Sequence, residues 1–116
     1  MIGIKKQKDL YWTAHARGKM MHYRLSEGRV KRILHSPERI ETGIAPETIA
    51  LMQTQKGPKN SHEIWVMAAD DKVRRKIISA WRYPGKTKPG EPLPEEILRE
   101  FRSGLALLRQ APRLEI

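Results

Sequence analysis

The chain has 116 residues, 39% of them apolar, no cysteine, and 23 lysines and arginines against 13 acids, a formal charge of +10. That is the length of one domain with enough interior to fold unaided, and it excludes disulfide staples and thiolate metal sites. The longest stretch without Asp, Glu, Lys or Arg runs only from Thr48 to Gln55, far below the roughly 18 residues of a membrane span. Lys5, Lys6 and Lys8 precede no apolar signal segment, so a soluble cytoplasmic protein is expected.

The charge falls in blocks. Residues 1–36 carry nine basic and two acidic side chains, and residues 72–90 carry seven basic and none acidic. A solvated surface usually mixes its signs, whereas cations gathered in blocks match a polyanion whose counterions they displace. A nucleic acid is therefore the favoured partner, ahead of an acidic protein.

Residues 1–9 read as a basic arm or a short edge strand through Ile2 and Ile4. Thr13 is placed to cap a helix from Ala14 to about Arg24, with Ala16, Met20 and Tyr23 on one face and His15, Lys19 and His22 on another. Ser26 caps a second helix from Glu27 to about His35, stopped by Pro37. Its core stripe is Val30, Ile33 and Leu34, and Arg29, Lys31 and Arg32 face outward. The connection is so short that the two must form a helical hairpin.

After Pro37 the period becomes alternating. Strands are expected at Arg39–Ile44, Thr48–Thr54, Glu63–Ala69 and Val73–Tyr83, and such short connections allow only antiparallel neighbours. Residues 84–94 hold four prolines and two glycines and cannot be regular. A last helix is expected from Glu95 to about Gln110, with Ile97, Leu98, Phe101, Leu105 and Leu108 on one stripe. The expected fold class is α+β: a two-helix hairpin on a four-stranded antiparallel meander, plus a C-terminal helix, in one domain over 1–116.

Strict alternation along the last strand puts Arg74, Lys76, Ile78, Ala80 and Arg82 on one face, and Val73, Arg75, Ile77, Ser79, Trp81 and Tyr83 on the other. Cations in a row can follow a phosphate backbone, and Trp81 with Tyr83 can stack on an unpaired base. For Trp81, core packing is the stronger reading. The first helix adds His15, Arg17 and Lys19. Cleaving RNA through its own 2′-hydroxyl needs a base, an acid and cations at phosphorus, roles that His for the protons and Arg or Lys for the phosphorus fill at neutral pH. Four scattered histidines without carboxylate companions make a metal site improbable, and no cofactor motif is present. Ser61-His62 lacks the glycine and the element order of HicA-type ribonucleases and is set aside.

Ala14-His15-Ala16-Arg17 with Met20 and Met21, Leu25-Ser26 opening a second helix, and the ending Ile77-Ile78-Ser79-Ala80-Trp81-Arg82-Tyr83-Pro84-Gly85 together resemble the RelE/ParE-like toxin superfamily. Within it they resemble the small branch that opens with a His-Ala-Arg helix. The resemblance covers about residues 11–85. It implies a metal-independent endoribonuclease without a cofactor, acting on RNA that is free or ribosome-bound and restrained by an antitoxin protein. The catalytic candidates are then His15, Lys76, Arg82 and Tyr83. The nucleic-acid-binding candidates are Arg17, Lys19, Arg29, Arg32, Arg74, Arg75, Trp81, Lys86 and Lys88. Two alternatives stand beside this one: a non-catalytic RNA- or DNA-binding module, and a protein-interaction module for an acidic partner.

Overall fold

The computed structural model describes residues 9–44 and 46–90. The order of elements is β1 (Asp9–Trp12), α1 (Ala14–Tyr23), α2 (Glu27–His35), β2 (Arg39–Thr42), β3 (Ile49–Lys56), β4 (Ser61–Asp70) and β5 (Arg74–Pro84). Both helices begin at a hydroxyl cap. The Thr13 side chain accepts from Ala16 N at 3.1 Å, and that of Ser26 accepts from Arg29 N at 3.0 Å, each satisfying an amide with no partner inside the helix. Thr13 Oγ1 also donates to Ile77 O at 2.8 Å, which fixes the start of α1 against β5. Arg24, in the left-handed region at φ 57°, closes α1. Among the described residues no helix is long and apolar enough to cross a membrane.

The strands form one sheet in the order β1-β5-β4-β3-β2. β2 to β5 pair antiparallel, but β1 lies parallel to β5, with Leu10 beside Arg75 and Trp12 beside Ile77. Among the described residues the fold is thus a mixed five-stranded sheet with two helices, and the expected four-stranded antiparallel meander is corrected. The reason is that β1 has only four residues and pairs with a strand more than sixty positions away. No turn chemistry in the sequence marks such a partner. The helix expected at 95–110 and most of the basic arm lie outside the described residues.

β5 does not keep strict alternation. Ala68 of β4 pairs with Ile77, but Met67 pairs with Ser79, so Ile78 is an extra residue in the ladder. A bulge of this kind shifts the phase of every side chain beyond it. Arg75 and Ile77 therefore share the helix-covered face with Ala80 and Arg82, while Lys76 shares the opposite face with Tyr11. The expectation that Arg74, Lys76 and Arg82 line one face is corrected accordingly.

The helix-covered face holds the larger core: Ala16, Met20, Val30, Ile33, Leu51, Ile64, Val66, Ile77 and Ala80 are buried, with Leu34 packed against them. Apolar residues also occupy the other face, where Ala50, Met52, Trp65, Met67 and Trp81 form a second buried cluster. Both faces of β4 are thus dry, and Ile64 through Ala68 have no exposed side chain. Burying a large apolar side chain contributes about 1.5–3 kcal/mol, so the two clusters hold the sheet rigid beneath its functional groups.

Candidate nucleic-acid interface

The cations divide into two kinds. Arg17 pairs with Glu27 at 2.9 Å, Arg75 with Asp70 at 2.6 Å, Arg74 with Asp71 at 3.8 Å, and Arg39 with Glu41 at 3.0 Å. Their charge is largely spent within the fold. Arg29 and Arg82 are held instead by neutral oxygens. Arg29 donates to Gln53 Oε1, and Gln53 in turn donates to Arg32 O at 3.2 Å and Ser36 O at 2.8 Å. Arg82 donates through Nη2 to Tyr23 O at 3.0 Å and through Nη1 to Gln55 Oε1 at 3.4 Å, and it meets His62 Nε2 with the same Nη1. The last carbonyl of α1 thereby gains a cation where the helix dipole favours one. Among the described residues no carboxylate forms an ion pair with Arg29 or Arg82.

His62 lies at the end of β4, opposite Gln55 of β3 and Pro84 of β5. It borders an open cleft of about 700 Å³ whose other walls are Lys59, Asn60, Ser61, Pro84, Gly85 and Lys86. The turn residues Gly57 and Asn60 close the β3–β4 hairpin, Gly57 N donating to Asn60 O at 3.0 Å. Gly85 adopts φ +108°, a conformation that only glycine enters without strain, and so turns the chain back after β5. Partial burial, then the charges of Arg82 and Arg29, hold the His62 imidazole below its ordinary value of 6.5. Partial burial, then Arg32 and Arg82, lower Arg29 as well, opposed by Glu38. The site is thus a neutral imidazole facing two guanidiniums that no carboxylate contacts directly, with Glu38 acting on Arg29 from further off and two lysines at its mouth.

The chain after Gly85 is latched to the far face. Glu63 is buried, accepts from Trp65 Nε1 at 2.9 Å, and accepts from Thr87 N at 3.1 Å and Thr87 Oγ1 at 2.7 Å. Arg39 donates to Thr87 O at 2.9 Å and to Lys88 O at 3.3 Å, and Gly90 N donates to Glu41. This strap places Lys86 in the cleft wall. Glu63→Ala should cost about 1–3 kcal/mol, because it leaves the buried Trp65 N–H and the Thr87 donors without their acceptor. It should also lower the salt slope of RNA binding by about one contact. In a Lys86→Ala background that second effect should disappear, which a loss of stability alone would not produce.

The structure scatters the expected catalytic set. Arg82 lies against His62, behind the residues that wall the cleft. Tyr83 pairs with Glu63 on the opposite face. Lys76 lies six residues up β5, about 20 Å away, and also on the opposite face. His15 Nε2 lies 3.2 Å from Ser79 Oγ and lines a separate, shallow cleft on α1 with Gly18, Lys19 and His22. Arg17 lies over the Trp12 ring and Arg74 over the Tyr11 ring, and Lys19 sits near the ring of Tyr23. Trp81 is only 3% exposed and stacks on Trp65 at 5.9 Å, so it packs the core and presents no free face to a base. Arg32 is exposed beside Arg29, Lys86 lines the cleft, and Lys88 holds its strap through its carbonyl.

His62 is the site residue that the sequence offers only in the Ser61-His62 pair, set aside above. A histidine opening a strand after a Lys-Asn-Ser turn carries little signal alone, and only the strand register brings Arg82 against it. No family model matches the chain, and neither a curated protein nor a solved structure matches it.

Proposed function

We propose that the His62 cleft binds the phosphodiester backbone of RNA and cleaves it without a metal ion, in the manner of a toxin-like endoribonuclease. The observation that carries this reading is the pair of guanidiniums, Arg29 and Arg82, oriented by amide and carbonyl oxygens rather than by carboxylates. Such a pair is preorganised for an anion, and the phosphorane formed during cleavage carries more negative charge than the substrate. His62, held neutral at pH 7, takes the proton of the attacking 2′-hydroxyl. Arg82 and Arg29 hold the non-bridging oxygens, and the departing 5′-oxygen takes a proton from water at the open mouth. Lys59 and Lys86 bind neighbouring phosphates. The RelE/ParE-like resemblance supports the same class of activity and suggests an acidic antitoxin segment as a competitor for the cleft.

Purified protein incubated with single-stranded transcripts in EDTA should yield fragments ending in 2′,3′-cyclic phosphate. A second reading, a non-catalytic RNA-binding module, is favoured by the absence of a second imidazole from the cleft walls. It predicts intact RNA and binding that falls steeply with salt. Intact transcripts, free or ribosome-bound, would retire the catalytic reading.

A further inference from the structure

A guanidinium only donates hydrogen bonds. The contact of Arg82 Nη1 with His62 Nε2 therefore uses the lone pair of an unprotonated nitrogen and puts the ring proton on Nδ1. In this arrangement the atom best placed to accept a proton is already occupied. A phosphate oxygen is a stronger partner for the same N–H, because charge assists that bond from both sides.

We infer that a phosphate anion entering the cleft and the His62 ring compete for the Arg82 guanidinium, so that anion binding frees Nε2 and is coupled to the uptake of one proton there. This rests on the cleft being a phosphate site and does not require that RNA be cleaved in it. The groups facing the ring are nearly all cationic or neutral. β5 contributes Arg82, and α2 contributes Arg29 with Arg32 behind it. β3 contributes uncharged Gln55, the β3–β4 turn Lys59, and the strap Lys86. Glu38 acts on Arg29, and Glu63 is buried on the opposite face among its own donors.

The direction of the coupling follows from these charges. In the free protein they oppose protonation of the ring, while an anion that neutralises them favours it. Affinity for the anion therefore rises as pH falls through the imidazole value of the complex. It levels off below the imidazole value of the free protein. Between the two, uptake of one proton changes affinity by up to about tenfold per pH unit. For an RNA-cleaving site, the consequence is that substrate itself exposes the base, which then acts only at pH above the imidazole value of the complex, where the freed Nε2 is still unprotonated.

The test uses the full chain with two probes that do not titrate in this range and cannot be cleaved: sulfate, and a short oligodeoxynucleotide. Ring signals of His62 are followed by NMR from pH 5 to 8, with chloride at matched ionic strength as the reference. The expected result is a His62 midpoint that rises with either probe, and a sulfate affinity that weakens with pH between the two midpoints. In Arg82→Gln the free midpoint should move up and the response to sulfate should be lost. In His62→Gln, which leaves the cap of α1 in place, sulfate affinity should no longer depend on pH. Sulfate that shifts the amide signals of Gly85 and Lys86 while the His62 midpoint stays fixed would overturn the inference. Sulfate that acts no differently from chloride would overturn it too. Coupling without RNA cleavage retains the inference and removes the catalytic reading; cleavage without coupling does the reverse.

Discussion

Trp65→Ala is expected to destabilise the protein by about 3–5 kcal/mol, the range for deleting a fully buried large aromatic. Trp65 has no exposed surface, lies parallel to Trp81 at 5.9 Å, and sits beneath the Arg39 guanidinium at 5.1 Å. Its indole N–H is also one of the donors that satisfy Glu63. The substitution therefore opens a cavity in the second cluster and takes a partner from a buried carboxylate at the same time. Against a total stability of about 5–15 kcal/mol, much of the folded population is at stake. Urea unfolding followed by circular dichroism measures the loss, and Trp65→Phe should recover part of it. A cost below about 1 kcal/mol would mean that this face is not a core at all.

His62→Ala should lower RNA cleavage by about 10²–10⁴-fold, the usual contribution of a positioned base. RNA affinity should change little, because Arg29, Arg82, Lys59 and Lys86 still meet the phosphates. Arg82→Ala is expected to lose both cleavage and affinity, and some stability at the end of α1 besides. Arg82→Lys keeps one charge but cannot reach Tyr23 O, Gln55 and a phosphate together, since an ammonium lacks the planar fork. It should restore affinity more than rate. Cleavage and filter-binding assays on the same preparations separate these outcomes. Full cleavage by His62→Ala would assign the base elsewhere.

Much of the local structure is legible in the sequence because its signals are local. Thr13 and Ser26 sit where caps are needed, and Val30, Ile33, Ile64, Val66 and Ile77 keep their periods and meet in one core. α2 ends at His35, two residues before Pro37, as expected. The fold class is not legible, because it depends on β1, a four-residue strand whose parallel partner lies at the other end of the described chain. The candidate site fails for a related reason. Periodicity assigns faces only while the period holds, and the extra Ile78 breaks it between Lys76 and Arg82. Trp81 and Tyr83 then pass to the buried second face as a pair, Arg82 crosses to the helices, and His62 acquires a partner twenty residues away.

That single extra residue also limits how the protein can change. Deleting Ile78 would turn the rest of β5 inside out, aiming Trp81 at the helix layer and Arg82 at the Trp65 layer. Neither layer has a place for what it would receive. A one-codon deletion there should be far less tolerated than one in the exposed β3–β4 turn, and compensating it would require a matching insertion in the same strand. Insertions and deletions along residues 74–84 thus report on the site more sharply than substitutions do, since the position of a guanidinium relative to the sheet is written there in the count of residues rather than in their identity.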